Sequence, residues 1–155
     1  MHYTTMEEIP SDEVVMAGIF LVNHHPAVIL FDSRALHSLM SPTFASKYDQ
    51  KIIVVDKGGY CISAAGSNIS TNQIVRDVRI QISEWEYNAN LVILSGLGID
   101  VILGMNWMKN HGVLIDTSTR TVMLRDPKNN EAFLVPFLGS LISIMWPTLS
   151  SLWPL

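Results

Sequence analysis

A single cysteine, Cys61, stands among the 155 residues and has no partner for an internal disulfide. That excludes a disulfide-built mini-domain and suits a reducing, cytoplasmic setting. Charge is sparse as well: only 15% of residues are Asp, Glu, Lys or Arg, and ten cations against fourteen acids leave a net charge of −4. Such a balance supplies no basic footprint for nucleic acid. Together with 48% hydrophobic residues it also excludes a disordered tail or a charged coiled coil. The first cationic side chain is Arg34, so the basic start of a secretory signal and the Arg-rich character of a transit peptide are both missing. Prolines and glycines are few and scattered, which removes collagen-like and low-complexity readings. A chain of this length fits one domain with a real core.

Unbroken apolar runs are missing even where charge is absent. No charged residue follows Glu131, and the last 24 positions read AFLVPFLGSLISIMWPTLSSLWPL. Pro136, Gly139, Pro147 and Pro154 divide them into pieces shorter than the ~18 apolar residues of a membrane span. No Lys or Arg flanks the end as an anchor. The reading is against a membrane partner and for a strand that runs on into an apolar extension, a patch that needs a surface to cover it.

What the chain does contain is β-type text. The opening residues 1–12 are polar and read as a flexible segment. Val14 to Asn23 and Ala27 to Asp32 form two apolar runs around His24-His25-Pro26, a hairpin with Pro26 at the turn or at the first strand residue. Ser41 is a good cap and Pro42 a good first residue for a short helix to about Tyr48. Strands are expected over Ile52 to Val55, Tyr60 to Ser63, Ile69 to Ile82, Tyr87 to Leu94 and Ile99 to Leu103. Val78, Ile80 and Ile82 alternate with Arg79 and Gln81 in the two-residue period of a sheet with one wet face. Ala64-Ala65-Gly66-Ser67-Asn68 marks a hairpin tip. A second short helix from about Asn106 to Asn110 stops at Gly112, and Val113 to Ile115, Thr121 to Leu124 and Phe133 to Val135 close the chain as strands. Short, regularly spaced strands with few helices argue a mostly-β barrel or sandwich.

Three features stand in order: an apolar strand ending in Asp32-Ser33, a Gly-tipped hairpin, and Ile102-Leu103-Gly104 closing a second apolar strand. VILFDSRA resembles the hydrophobic–Asp–Ser/Thr–Gly–Ala signature of aspartic proteases. GIDVILGMNWMKNHGVLID is similar to the segment GIDVILGMDWL…H…IDC of proteases encoded by plant Ty3/gypsy retrotransposons. The resemblance implies a closed retropepsin-like acid-protease barrel over 13–137 with one or two short helices, and 138–155 as an apolar C-terminal extension.

The chemistry asks for these residue types. Two carboxylates sharing one proton can hydrolyse a peptide bond without metal or covalent nucleophile, one taking a proton from water while the other donates to the carbonyl oxygen. The resemblance makes Asp32 one such carboxylate and Ser33 a hydroxyl that ties two active-site loops together. It makes Ala35, Ile102, Leu103 and Gly104 the motif that supports them, and Ala65, Gly66 and Ser67 the tip of a flap closing on substrate. Ile115-Asp116-Thr117-Ser118 is the other candidate motif, and it departs at Ser118. The dyad is therefore expected from two chains, a homodimer acting on an extended peptide or polyprotein, with the tail helping to build the interface.

Arg34 stands where the family has glycine. It adds a Cβ where the loop is expected to want none and brings a guanidinium within reach of Asp32. A neighbouring cation favours the ionised carboxylate, and a fully ionised dyad has no acid, so the expectation is a weakened or lost activity. A non-catalytic dimerisation or peptide-binding module is the alternative. Asn106 replaces an aspartate of many relatives and is expected to cap the following helix equally well. Asp100 is read as a turn or solvated residue. His24, His25, His37, His111 and Cys61 share no metal spacing, so neither metal nor cofactor is expected. Asn68-Ile69-Ser70 has the form of a glycosylation sequon without a signal peptide, and Lys57-Gly58-Gly59 is too short for a phosphate loop.

Overall fold

The computed structural model describes residues 15–137 apart from 57, 65, 66 and 117. The expected opening segment 1–12, the extension 138–155 and the hairpin-tip residues Ala65 and Gly66 lie outside the described residues.

Strands β1 (Val15–Val22) and β2 (His25–Asp32) pair antiparallel from Val15↔Asp32 to Val22↔His25. The turn between them is Asn23-His24, both at positive φ (46° and 70°), the backbone that a two-residue hairpin needs. The expectation of a His24-His25-Pro26 turn is thus corrected: Pro26 already lies within β2, opposite Leu21, at a position whose N–H would face away from β1, so the β1–β2 ladder loses no donor. Strand β2 is apolar on both faces because both are covered: Ile29 and Phe31 enter one buried cluster, Leu30 the other.

After Asp32 the chain loops to β3 (Leu39–Met40), a two-residue strand too short for a sequence pattern. Helix α1 (Pro42–Lys47) follows, with Ser41 at its cap accepting the Phe44 N–H at 3.0 Å and Pro42 at its start, as expected. Next come β4 (Ile53–Val54), β5 (Tyr60–Ala64), β6 (Ser67–Thr71), β7 (Gln73–Ile82) and β8 (Trp85–Ile93). The run expected as one strand from Ile69 to Ile82 is broken at Asn72, whose carbonyl accepts the Val55 N–H at 2.7 Å. The first part joins β5 in a separate hairpin and the second enters the large sheet. That hairpin is paired from Tyr60↔Thr71 to Ala64↔Ser67, so its strands run closer to the tip than the turn-forming residues Ala64 to Asn68 suggest.

The last elements are β9 (Val101–Leu103), α2 (Met105–Asn110), β10 (Leu114–Asp116), β11 (Thr121–Arg125) and β12 (Ala132–Leu134). Strand β9 starts two residues later than expected, because Asp100 turns its carboxylate back onto the Val28 N–H (2.8 Å) and its carbonyl onto the Ser41 N–H (2.9 Å). Helix α2 ends in a complete left-handed cap: Gly112 at φ 61° donates to Lys109, and the Val113 N–H reaches the Met108 carbonyl at 2.9 Å.

The large sheet runs β1-β2-β9-β3-β8-β7, and β7 returns to β1 through Leu21↔Gln81 and Val22↔Ile80. Six strands thus close a barrel, β4 adds to β7 outside the ring, and β10-β11-β12 form a small sheet of their own. The described residues are mostly β with two short helices, as expected.

Candidate active site

Register alone brings the two motif halves together. Strand β2 pairs parallel to β9 with Leu30↔Ile102 and Phe31↔Leu103. The next residues along the two segments are Asp32, the last of β2 and still opposite Val15 of β1, and Gly104, which follows β9. Ile102 and Leu103 are fully buried, and Ala35 nearly so.

The loop between Asp32 and β3 is held by backbone bonds. The Arg34 N–H donates to Asp32 Oδ1 at 2.9 Å, and the Ala35 N–H to the Asp32 carbonyl at 3.2 Å. Further on, the first N–H groups of α2 use loop carbonyls as their acceptors: Met105 donates to Ala35 at 2.7 Å and Asn106 to Leu36 at 3.1 Å. Gly104 occupies the cap of that helix. A Cβ there would lie 2.7 Å from the Ala35 carbonyl oxygen and closer still to that of His37, so the approach admits glycine only.

Asn106 is therefore not the cap that was expected but the second helical residue. Its Oδ1 accepts the Trp107 N–H and the Ser38 hydroxyl, each at 2.8 Å. The expectation that the side chain serves a helix-start N–H holds, from a different position. Ser38, 1% exposed, also accepts the Gly104 N–H at 3.0 Å. It was not singled out from the sequence, because its partners lie 66 and 68 residues away and a serine in a turn-rich loop carries no signal of them.

Asp32 itself is wholly buried. Arg34 lies over it: Nε donates to Oδ1 at 3.1 Å and Nη2 lies 3.4 Å from Oδ2. The Arg34 side chain is 23% exposed, the Asp32 side chain 0%. Arg34 does not adopt a positive φ, so the loop accepts its Cβ without backbone strain, contrary to the expectation that glycine was sterically required there. Ser33 is half-buried beside them. The hairpin β5–β6 is rooted near this loop through the His37–Tyr60 ring contact, 5.8 Å between centroids, and a cavity of about 400 Å³ opens between His37, Tyr60, Arg76, Asp77 and Asn90.

The second candidate motif does not join Asp32. Asp116 ends β10 in the small sheet, exposed, and its Oδ1 accepts the Ser118 hydroxyl at 2.7 Å and the Ser118 and Thr119 N–H groups. Those bonds, the Ser118 hydroxyl first, hold its carboxyl below the usual range, the behaviour of a turn carboxylate. Cys61 is exposed on β5, and among the described residues no group of three or more His, Cys, Asp or Glu could hold a metal ion. No helix among the described residues is long and apolar enough to cross a membrane.

An aspartate thus ends one strand beside a second, parallel strand that a glycine follows, and the family model for retroviral aspartyl protease matches residues 1–130. The chain belongs to that family. Among solved structures, the retroviral protease-like domain of Ddi1 from Leishmania major is similar at a TM-score of 0.57 and 16% identity, over 81% of this chain and 94% of that one. The protease of EIAV, solved with the inhibitor HBY-793, is similar at a TM-score of 0.52 and 17% identity, over 75% of this chain and 99% of that one. At such identities the likeness speaks for the fold, a retropepsin-like acid-protease barrel.

Proposed function

We propose that this chain is the aspartic endopeptidase domain of a plant Ty3/gypsy-type retrotransposon, spanning 13–137 and working as a homodimer in the cytoplasm, and that Arg34 holds its activity down. Each chain contributes Asp32 across a two-fold axis, with Ser33 gripping the opposing loop. One carboxylate takes a proton from water while the other protonates the carbonyl oxygen of an extended peptide, in the element's own polyprotein. The hairpin β5–β6, with Ala65, Gly66 and Ser67 at its tip, closes over the substrate and expels water. The reaction calls for no metal, cofactor or nucleic acid.

The observation that carries the reading is the buried Asp32 at the end of β2, preceded by Leu30 and Phe31, which pair with Ile102 and Leu103 just ahead of Gly104. The observation behind its second half is the Arg34 fork on that carboxylate. An arginine stays charged at any working pH, and a guanidinium bound to each carboxylate favours a dyad with no proton to donate. The same ion pair supports a second reading, a peptide-binding or dimerisation module that kept the barrel and lost the reaction.

The test compares wild type, Arg34→Gly and Asp32→Ala on an unfolded protein substrate at mildly acidic pH, with sedimentation of each. Arg34→Gly is expected to cleave, wild type to cleave weakly or not at all, and Asp32→Ala not at all. Vigorous Asp32-dependent cleavage by wild type defeats the role given to Arg34. A chain that stays monomeric at high concentration defeats the dyad.

A further inference from the structure

Arg34 lies between the buried Asp32 carboxylate and the outside, with part of its side chain exposed in the single chain. The two contacts of its guanidinium with Asp32 are unequal. The Nε bond at 3.1 Å is sound, whereas Nη2 at 3.4 Å is a long and weak arm of the fork. Asp100, on the segment leading into β9, holds the Val28 N–H, and His37, on the same loop as Arg34, stands against Tyr60.

Two chains meeting at Asp32 bring together two of these carboxylates and two Arg34 guanidinium groups, a set in which the charges cancel. A dyad that works by sharing one proton carries one negative charge instead. An incoming acidic side chain supplies the difference. Its carboxylate takes over one Arg34 fork, so the guanidinium never sits unpaired in a desolvated site. The set of charges then stands at one negative in excess and becomes neutral again on taking up one proton, shared by the two Asp32 carboxylates. A neutral side chain offers the guanidinium no exchange.

The geometry points to Arg34 as a specificity-determining residue that selects peptides carrying Asp or Glu beside the scissile bond, whose carboxylate draws the fork away from Asp32. This rests on the reading of Asp32 as half of a dyad.

The test is calorimetry on the wild-type dimer with two uncleavable reduced-amide peptides that differ only in Glu or Gln at that position. Each is titrated in two buffers of different ionisation enthalpy, and the pair is repeated on Arg34→Gly and Arg34→Lys. Wild type is expected to bind the Glu peptide about tenfold or more tightly than the Gln peptide, with uptake of one proton. Arg34→Gly is expected to lose the preference and Arg34→Lys, a point charge without a fork, to keep a smaller one. Equal affinities in wild type, a preference that survives Arg34→Gly, or tighter binding without proton uptake each overturn the inference. If Arg34→Gly nevertheless shows turnover that Asp32→Ala abolishes, the protease reading survives that failure. If neither peptide binds any variant and none cleaves, both fall.

Discussion

Replacing Arg34 by glycine restores the family residue, yet the structure makes that substitution costly to stability. It removes the counter-ion from a carboxylate whose side chain is 0% exposed. Breaking a fully enclosed pair from one side costs about 3–5 kcal/mol, and an exposed pair about 0.2–1 kcal/mol. With the arginine partner 23% exposed, the value falls between, about 2–3 kcal/mol. Glycine adds roughly 0.5–1 kcal/mol of backbone entropy. The bond from the residue-34 N–H to Asp32 Oδ1 survives in either case. A net loss of about 3 kcal/mol corresponds to a fall of roughly 6–12 °C in Tm for a chain of this size.

Urea unfolding at fixed protomer concentration is the appropriate assay, because dimerisation would otherwise shift the apparent stability by mass action. Arg34→Met separates the two contributions, since it removes the charge and keeps the side-chain bulk. Both variants should be less stable than wild type at neutral pH. If both variants equal wild type to within about 0.5 kcal/mol at neutral pH, the ion pair does not stabilise the loop and the reasoning fails.

Ser38→Ala leaves the buried Gly104 N–H without an acceptor and should cost about 2–3 kcal/mol in urea unfolding; a loss below about 0.5 kcal/mol contradicts the strap. Gly104→Ala drives a Cβ into the Ala35 and His37 carbonyl oxygens, which are backbone and cannot swing aside, so a thermal melt should show at least about 2 kcal/mol of destabilisation. Asn106→Asp keeps an acceptor for both Ser38 and Trp107 and should stay within about 1 kcal/mol of wild type; a larger loss in the same urea titration would mean that the amide N–H groups matter. Burial holds the His111 imidazole below its usual 6.5, against the raising effect of its bond to the Asn88 carbonyl. A depressed folded value means stability that is present above 6.5 and lost as pH falls through the folded value, so wild type should weaken on acidification in that window and His111→Gln should lose this part of the slope.

Much of the site was legible because it is local. Asp32, Ser33 and Arg34 are consecutive, and in an extended or looped backbone a guanidinium two residues from a carboxylate can reach it. The apolar runs of β2 and β9 announced buried strands, and the Ser41-Pro42 and Gly112 signals placed both helices within a residue or so. What stayed hidden depends on long-range register. Nothing in Leu39-Met40 marks a strand, since two residues carry no period, and their order comes from β8 and β9 on either side. The break at Asn72 was concealed because Ile69 to Ile82 keeps β-type composition throughout, while the cause of the break, a bond to Val55, comes from another part of the chain. The closing contact of the barrel, Leu21 and Val22 on β7, covers two residue pairs and leaves no trace in either strand's pattern. Asn106 was misassigned by one turn position because the loop carbonyls of Ala35 and Leu36, invisible from sequence, already serve the helix start.

Scaffold and chemistry separate cleanly at position 34. The bonds that place the Asp32 loop are the Arg34 and Ala35 N–H groups on Asp32, the Ala35 and Leu36 carbonyls on α2, and the Ser38 hydroxyl between Gly104 and Asn106. Each uses backbone, or a side chain other than that of residue 34. The backbone there is not left-handed, so an arginine enters without strain. Selection for folding would therefore leave such a change untouched, while the guanidinium it brings pairs with the buried Asp32 carboxylate. Substitutions at Ser38 or Gly104 act in the opposite sense, loosening the loop with no direct effect on the charge at Asp32. A chain that carries arginine at 34 together with Ser38, Gly104 and Asn106 thus keeps the bonds that place the Asp32 loop whatever side chain stands at 34.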